Sequence, residues 1–118
     1  MFLLLTLLTV KHFIFDFWYQ PPYQWKNKGT YLHLGGIVHA GQHALASLFI
    51  LFFFTNTATA LGVAGIEFLI HYHMDWFKMK YNAAKGWTAT THNEFWVLLG
   101  VDQLVHSLTY ILMAYLVI

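Results

Sequence analysis

Residues 58–77 read ATALGVAGIEFLIHYHMDWF, a mostly apolar run that carries Glu67, His71 and Asp75 at steps of four. A step of four returns to the same face of an α-helix, so these three ionisable side chains form one stripe on an otherwise apolar cylinder. The run also has the length a bilayer-spanning helix needs, about 20 residues. An unpaired acid is costliest there, which predicts that the stripe faces protein and the rest of the helix faces lipid.

The same spacing recurs on either side of this run. His12 with Asp16, His39 with His43, and Asp102 with His106 each stand four apart in apolar sequence. Four helices are predicted, at about 2–20, 31–54, 58–79 and 93–117, within a single domain of residues 1–118. Pro21 and Pro22 cannot continue a helix interior, and Lys26, Asn27, Lys28 and Gly29 make the first connection polar. Thr55, Asn56 and Thr57 form the second turn, and Thr91 with Glu94 has the capping-box spacing that opens the last helix. The expected fold class is all-α: a polytopic membrane protein built as an antiparallel four-helix transmembrane bundle.

Composition supports lipid as the solvent, because 58% of the chain is hydrophobic and 9% is charged, where soluble domains carry about a quarter charged residues. A net charge of +1 without a basic stripe argues against nucleic acid as a partner. Cysteine is absent, which excludes disulfides, thiolate zinc sites, iron–sulfur clusters and a cysteine nucleophile. Residues 2–10 have the apolar character of a secretory signal but no positive flank and no small-residue cleavage site, so they are read as the first span. Lys26, Lys28, Lys78, Lys80 and Lys85 all fall in the first and third connections. The positive-inside rule makes that side cytoplasmic and both termini external.

Tracing the antiparallel path brings the four pairs to a common depth, since each helical residue rises about 1.5 Å. The candidate metal ligands are therefore His12, Asp16, His39, His43, His71, Asp75, Asp102 and His106. One register places His12, His43, His71 and His106 in a deeper layer under Asp16, His39, Asp75 and Asp102. Another, shifted by one turn, aligns His39 and Asp102 with His12 and His71 and brings Glu67 level with His43 and His106. A lone histidine in a membrane helix equally serves as an interhelical hydrogen-bond partner. Three carboxylates buried without positive charge are harder to explain, and a divalent cation relieves their burial directly. Carboxylate–histidine hydrogen bonds forming a proton wire are the metal-free alternative.

Other polar residues fit around this site. Glu67 is a further ligand, a hydrogen-bond acceptor behind the ligands, or a proton-transfer group; Gln20 and Gln103 can hold a ligating carboxylate or a substrate oxygen. Lys78 reads as an interfacial lysine or as the counterion of an anionic head group, and Lys11 as an interhelical partner or another interfacial lysine. His33, His73 and His92 fall off the ligand faces. Trp18, Tyr19, Tyr23, Trp25, Tyr31, Trp76, Tyr81, Trp87 and Trp96 form an aromatic belt. Gly35, Gly36, Gly41, Gly62 and Gly65 are expected to let the second and third helices pack closely.

The pattern His12-x-x-x-Asp16-Phe17-x-x-Gln20, a lysine in the first loop, a histidine in the second helix, His71-x-x-x-Asp75-x-x-Lys78 and Asp102-Gln103-x-x-His106 resembles a family of short bacterial and phage membrane proteins known only as a domain of unknown function. The resemblance covers most of the chain and favours His39 over His43 as the histidine of the second helix. It implies a multi-pass protein of a bacterial inner membrane, or of the host inner membrane if phage-encoded. More distantly, the chain is similar to inner-membrane proteins classed as metal-dependent hydrolases.

From chemistry, the ligand set exceeds what one tetrahedral zinc needs and suits two divalent ions, zinc, manganese or iron, sharing a bridging water. The expected function is metal-dependent hydrolysis of a lipid or membrane-associated phosphoester or acyl substrate, with membrane lipid as the surrounding partner. Glu67 or an unligated aspartate such as Asp102 is the catalytic general base. A di-iron membrane oxidoreductase, a haem protein, a proton or metal-ion conduit and a membrane-permeabilising phage protein are the competing readings.

Overall fold

A computed structural model describes the whole chain, Met1–Ile118, as all-helical, with no strands. Five α-helices follow in order: α1 (Phe2–Phe13), α2 (Pro22–Trp25), α3 (Leu34–Leu51), α4 (Thr57–Lys85) and α5 (Asn93–Val117). α1 packs on α3 and α5, α3 packs on α4, and α4 packs on α5. At one end, Leu4, Leu8, Leu51, Ala60, Val63, Ala64, Tyr110, Met113 and Ala114 close an apolar core.

The first predicted helix, 2–20, is not one regular helix. After Phe13 the backbone widens into a π-helical turn over Ile14–Trp18, closed by the Tyr19 N–H donating to the Ile14 carbonyl at 2.6 Å. Such a turn holds one residue more than an α-turn and is common where a helix must present a functional side chain. Pro22 then sits at the first position of α2, where its missing N–H is harmless.

The first connection also departs from expectation. Rather than a solvated loop, it folds inward over α3, burying Gln24 and Lys28. Gly35 and Gly36 make this possible: a Cβ on Gly35 would collide with the Tyr23 carbonyl oxygen and meet Asn27 Cβ at 2.9 Å, and one on Gly36 would meet Lys28 Cα at 3.1 Å. Gly41, Gly62 and Gly65 have open space beside them, so of the expected glycines only Gly36 approaches α4, where a Cβ would meet Tyr72 Cε2 at 3.4 Å, and Gly35 and Gly36 chiefly admit the connection.

The caps set the other boundaries. His33 Nδ1 accepts from the Gly35 N–H at 3.0 Å, so α3 begins at Leu34 rather than at 31. Asn56 Oδ1 accepts from the Thr59 N–H at 3.0 Å and starts α4. With no breaker before it, α4 continues past 79 to Gly86, whose φ of 66° ends it. The Thr91–Glu94 capping box does not form, because His92 is the N-cap residue and Thr91 Oγ1 bonds to His92 Nδ1 at 2.7 Å.

Only α3 and α5 are long and apolar enough by themselves to cross a membrane, against the four spans expected. The regular part of α1 has 12 residues, and α4 carries Glu67, Asp75, Lys78, Lys80 and Lys85. The distribution of polarity is nonetheless unusual. About half of the 27 buried residues are polar or charged, while Phe2, Leu3, Phe49, Phe53, Leu69 and Leu108 are among the many large apolar residues left exposed.

Candidate metal centre

The polar interior is stacked in layers, each helix adding a residue at steps of about one turn. His12, His43, His71 and His106 make one layer, with ring centroids of His43 and His71 3.9 Å apart and of His71 and His106 4.0 Å apart. Asp16, His39, Asp75 and Asp102 lie one turn further from the apolar core. The structure thus adopts the first of the two registers that the sequence allowed.

Asp16 Oδ1 is the focus. His39 Nε2 lies 3.1 Å from it, His43 Nε2 2.9 Å and His71 Nε2 3.6 Å, and His39 Nε2 is 3.2 Å from His71 Nε2. All four ligand atoms fall within 4.8 Å of one another. Metal–ligand bonds of about 2.0–2.1 Å arranged tetrahedrally give ligand–ligand edges of about 3.3–3.4 Å. The measured edges bracket that value, so the Asp16–His39–His43–His71 group is positioned to hold a metal ion. Two further groups share its members: His71, Asp75 and His106, and Asp16, Asp102 and His106.

Hydrogen bonding fixes how His39 faces this point. Gln24 donates its amide nitrogen to Gln42 Oε1 at 2.9 Å, which turns Gln24 Oε1 toward His39 Nδ1 at 3.3 Å. Nδ1 therefore carries the proton, and in the neutral ring Nε2 is a bare lone pair. That lone pair faces Asp16 Oδ1 at 3.1 Å, Asp75 Oδ2 at 3.1 Å and His71 Nε2 at 3.2 Å. Two carboxylate oxygens and two imidazole nitrogens thus converge at hydrogen-bond distance, an arrangement that a proton or a metal cation would hold together.

His12, expected as a ligand, stands 3.2 Å from Asp16 Oδ2 through Nε2 but shares that nitrogen with Gln103. The Gln103 amide nitrogen points at Asp16 Oδ2 (3.3 Å) and Asp102 Oδ2 (3.1 Å), so Gln103 Oε1 accepts from His12 Nε2 at 2.7 Å. Tyr110 donates its hydroxyl to His12 Nδ1 at 2.9 Å. Both ring nitrogens are used, and His12 belongs to none of the three metal-capable groups. His33, His73 and His92 do lie away from the centre: His33 caps α3, His73 pairs with Tyr31 and His92 with Thr91.

The expectation that the aspartates are buried without positive charge is overturned. Lys28 Nζ lies 3.3 Å from Asp75 Oδ2, Lys78 Nζ lies 2.8 Å from Asp102 Oδ2, and Lys11 forms an ion pair with Glu67. Lys11 and Lys28 are among the buried residues, and Lys78 is largely buried. Asp16 alone has histidines and Gln103 but no lysine. Sequence reasoning missed Lys28, Gln24 and Tyr110; nothing local separates Lys28 from Lys26, and the family-like pattern asked only for a lysine in the first loop. Glu67 Oε2 and His71 Nδ1, beneath the histidine layer, are buried with no partner.

A family model described as Protein of unknown function (DUF3307) matches residues 4–118. The chain belongs to the DUF3307 family. No curated protein and no solved structure matches it. In this DUF3307 chain the rim of the centre opens into a cavity of about 280 Å³, whose floor includes Lys28 and Lys78 and whose walls include Trp25, Phe95 and Leu99. The two lysines that neutralise Asp75 and Asp102 therefore line this cavity.

Proposed function

We propose that this protein is an integral-membrane, metal-dependent enzyme, a hydrolase acting on a lipid or membrane-associated phosphoester or acyl substrate. The observation that carries the reading is the convergence of Asp16 Oδ1 and the Nε2 atoms of His39, His43 and His71, with the His39 lone pair turned inward by Gln24. Four buried carboxylates face three lysines, and the one left without an ammonium is Asp16. One divalent ion at Asp16 already exceeds that single uncompensated charge, so the count favours a single ion over two. Zinc, manganese and iron all suit mixed nitrogen and oxygen donors.

A bound cation there, taking a fifth ligand beyond the four protein donors, would supply an electrophile for a phosphoryl or acyl oxygen and an acidified water near neutral pH. The chain's own groups do the rest. His106 Nε2 lies 3.3 Å from Asp75 Oδ1 and 3.1 Å from Asp102 Oδ1, an imidazole between carboxylates that can take and return a proton. Asp102 is further held by Lys78 and Gln103, and Glu67 offers a second proton acceptor through its unpaired Oε2. Lys28 and Lys78 confront the cavity with positive charge that complements an anionic substrate.

The membrane reading extends to α1 and α4. Their polar stripes face the interior, and Phe2, Leu3, Leu7 and Val10 on α1 and Leu61, Ile66 and Leu69 on α4 are exposed. An apolar exterior around a polar centre supports a four-span antiparallel bundle in a bacterial inner membrane, or a host inner membrane for a phage protein. An ion conduit would need polar groups through the other end, where Leu4, Leu8, Leu51 and Met113 are fully buried.

Elemental analysis of protein purified without added metal tests the reading. About one divalent ion per chain is expected, and Asp16→Asn or His39→Ala should each lower occupancy at limiting metal by about tenfold or more. His12→Asn should keep the ion, since no metal-capable group includes His12 and the asparagine amide can replace its donor to Gln103 and Asp16. Wild-type protein without stoichiometric metal would overturn the proposal.

A further inference from the structure

The cavity at the rim holds two orphaned acceptors. Gln20 donates its amide nitrogen to the Asp16 carbonyl at 2.6 Å, and Asn82 donates its own to the Trp87 carbonyl at 3.0 Å. Both amides are thereby oriented, and both line the cavity. Gln20 Oε1 and Asn82 Oδ1 are buried with no hydrogen-bond partner. Left unmet, such atoms cost free energy, so a ligand that brings a donor gains by meeting them.

The same cavity contains two cations with donors to spare. Lys28 makes one hydrogen bond, to Asp75, and Lys78 makes one, to Asp102, whereas an ammonium has three protons. Trp25, Met79, Phe95, Leu98 and Leu99 complete an apolar wall. A fitting ligand combines an anionic group for the lysines, hydroxyl or ammonium protons for the two amide oxygens, and a hydrocarbon portion.

We infer that this cavity is a headgroup site for a phospholipid whose headgroup carries a hydrogen-bond donor, as phosphatidylglycerol and phosphatidylethanolamine do. The phosphate lies between Lys28 and Lys78, and the headgroup hydroxyl or ammonium meets Gln20 Oε1 and Asn82 Oδ1. A volume of about 280 Å³ takes a headgroup and excludes the acyl chains, which leave along the apolar wall. Phosphatidylcholine carries the same phosphate but no donor, so the two acceptors reject it. The inference rests on the enzymatic reading above for its meaning as a substrate site, and it deepens that reading by naming the lipid class.

Native mass spectrometry of the metal-loaded protein, offered equal amounts of phosphatidylglycerol, phosphatidylethanolamine and phosphatidylcholine in detergent micelles, tests it. The first two should be retained about tenfold over the third, the discrimination expected of one or two recovered hydrogen bonds. Gln20→Leu combined with Asn82→Leu should bring the three lipids to parity, and Asn82→Leu alone, which touches no metal-capable residue, should narrow the preference while metal content, measured on the same sample, is unchanged. Leu99→Trp fills the cavity without touching a polar group and should lose lipid but keep the ion. Equal retention of phosphatidylcholine by the wild type, or a preference that survives in the double variant, would overturn the inference even with metal bound. Free glycerol phosphate should not displace the lipid. Complete displacement would assign the cavity to a soluble phosphate ester and overturn the lipid class.

Discussion

Lys11 shows most plainly how single residues support the interior. Its ammonium pairs with Glu67, lies 3.2 Å from the Tyr110 hydroxyl oxygen and stands 4.7 Å from the Tyr110 ring centroid. Tyr110 in turn donates to His12, and His12 donates to Gln103, so one lysine organises a chain of bonds ending at Asp16 and Asp102. Removing one partner of a buried pair leaves an uncompensated charge and costs about 3–5 kcal/mol. Lys11→Met should therefore lower stability by about that amount in denaturant titrations in micelles. Lys11→Met with Glu67→Gln should regain most of it, because no bare charge is left. A single variant as stable as wild type would show that Glu67 does not depend on Lys11.

Among the elements, the connection from Pro21 to His33 departs furthest from what its composition suggests. It is polar, yet it lies over α3 as part of the centre, carrying Gln24 to His39 and Lys28 to Asp75. Its seat depends on Gly35, which has no room for a methyl group. Gly35→Ala should lift this segment and destabilise the protein by about 1–3 kcal/mol, the usual range for overpacking, with a matching fall in melting temperature. Gly41→Ala is the control: nothing crowds it, and alanine favours the helix, so stability should hold or rise. Loss of stability at Gly41 equal to that at Gly35 would mean that the helix itself, not the connection, is sensitive.

At the scale of the whole molecule, polarity is arranged inside out. The termini and the Phe52–Asn56 turn lie at the apolar end with Leu4, Leu51 and Met113, and the lysine-bearing connections lie at the other. If all four long helices cross, the cytoplasmic end is the lysine end. A C-terminal alkaline phosphatase fusion, active only outside the cytoplasm, should then be active, and a C-terminal green fluorescent protein should be dark. The reverse pattern would invert the orientation and place the cavity in the outer leaflet.

Spacing alone settled that the chain is helical and that its ionisable residues share faces, because a period of about 3.6 residues assigns faces without knowledge of neighbours. It also gathered His12, Asp16, His39, His43, His71, Asp75, Asp102 and His106 as one set, of which all but His12 fall in metal-capable groups. Which layer each joins depends on how far one helix slides along another, a quantity set by interdigitating side chains between elements and invisible within any one of them. Only the fold decided that His12 bonds Gln103, Tyr110 and the Asp16 carboxylate without joining a metal-capable group, and that Lys28, distant in sequence from Asp75, neutralises it. Tertiary structure made these choices because an ion pair or a ligand cage forms wherever atoms meet, and chain separation does not record meeting points.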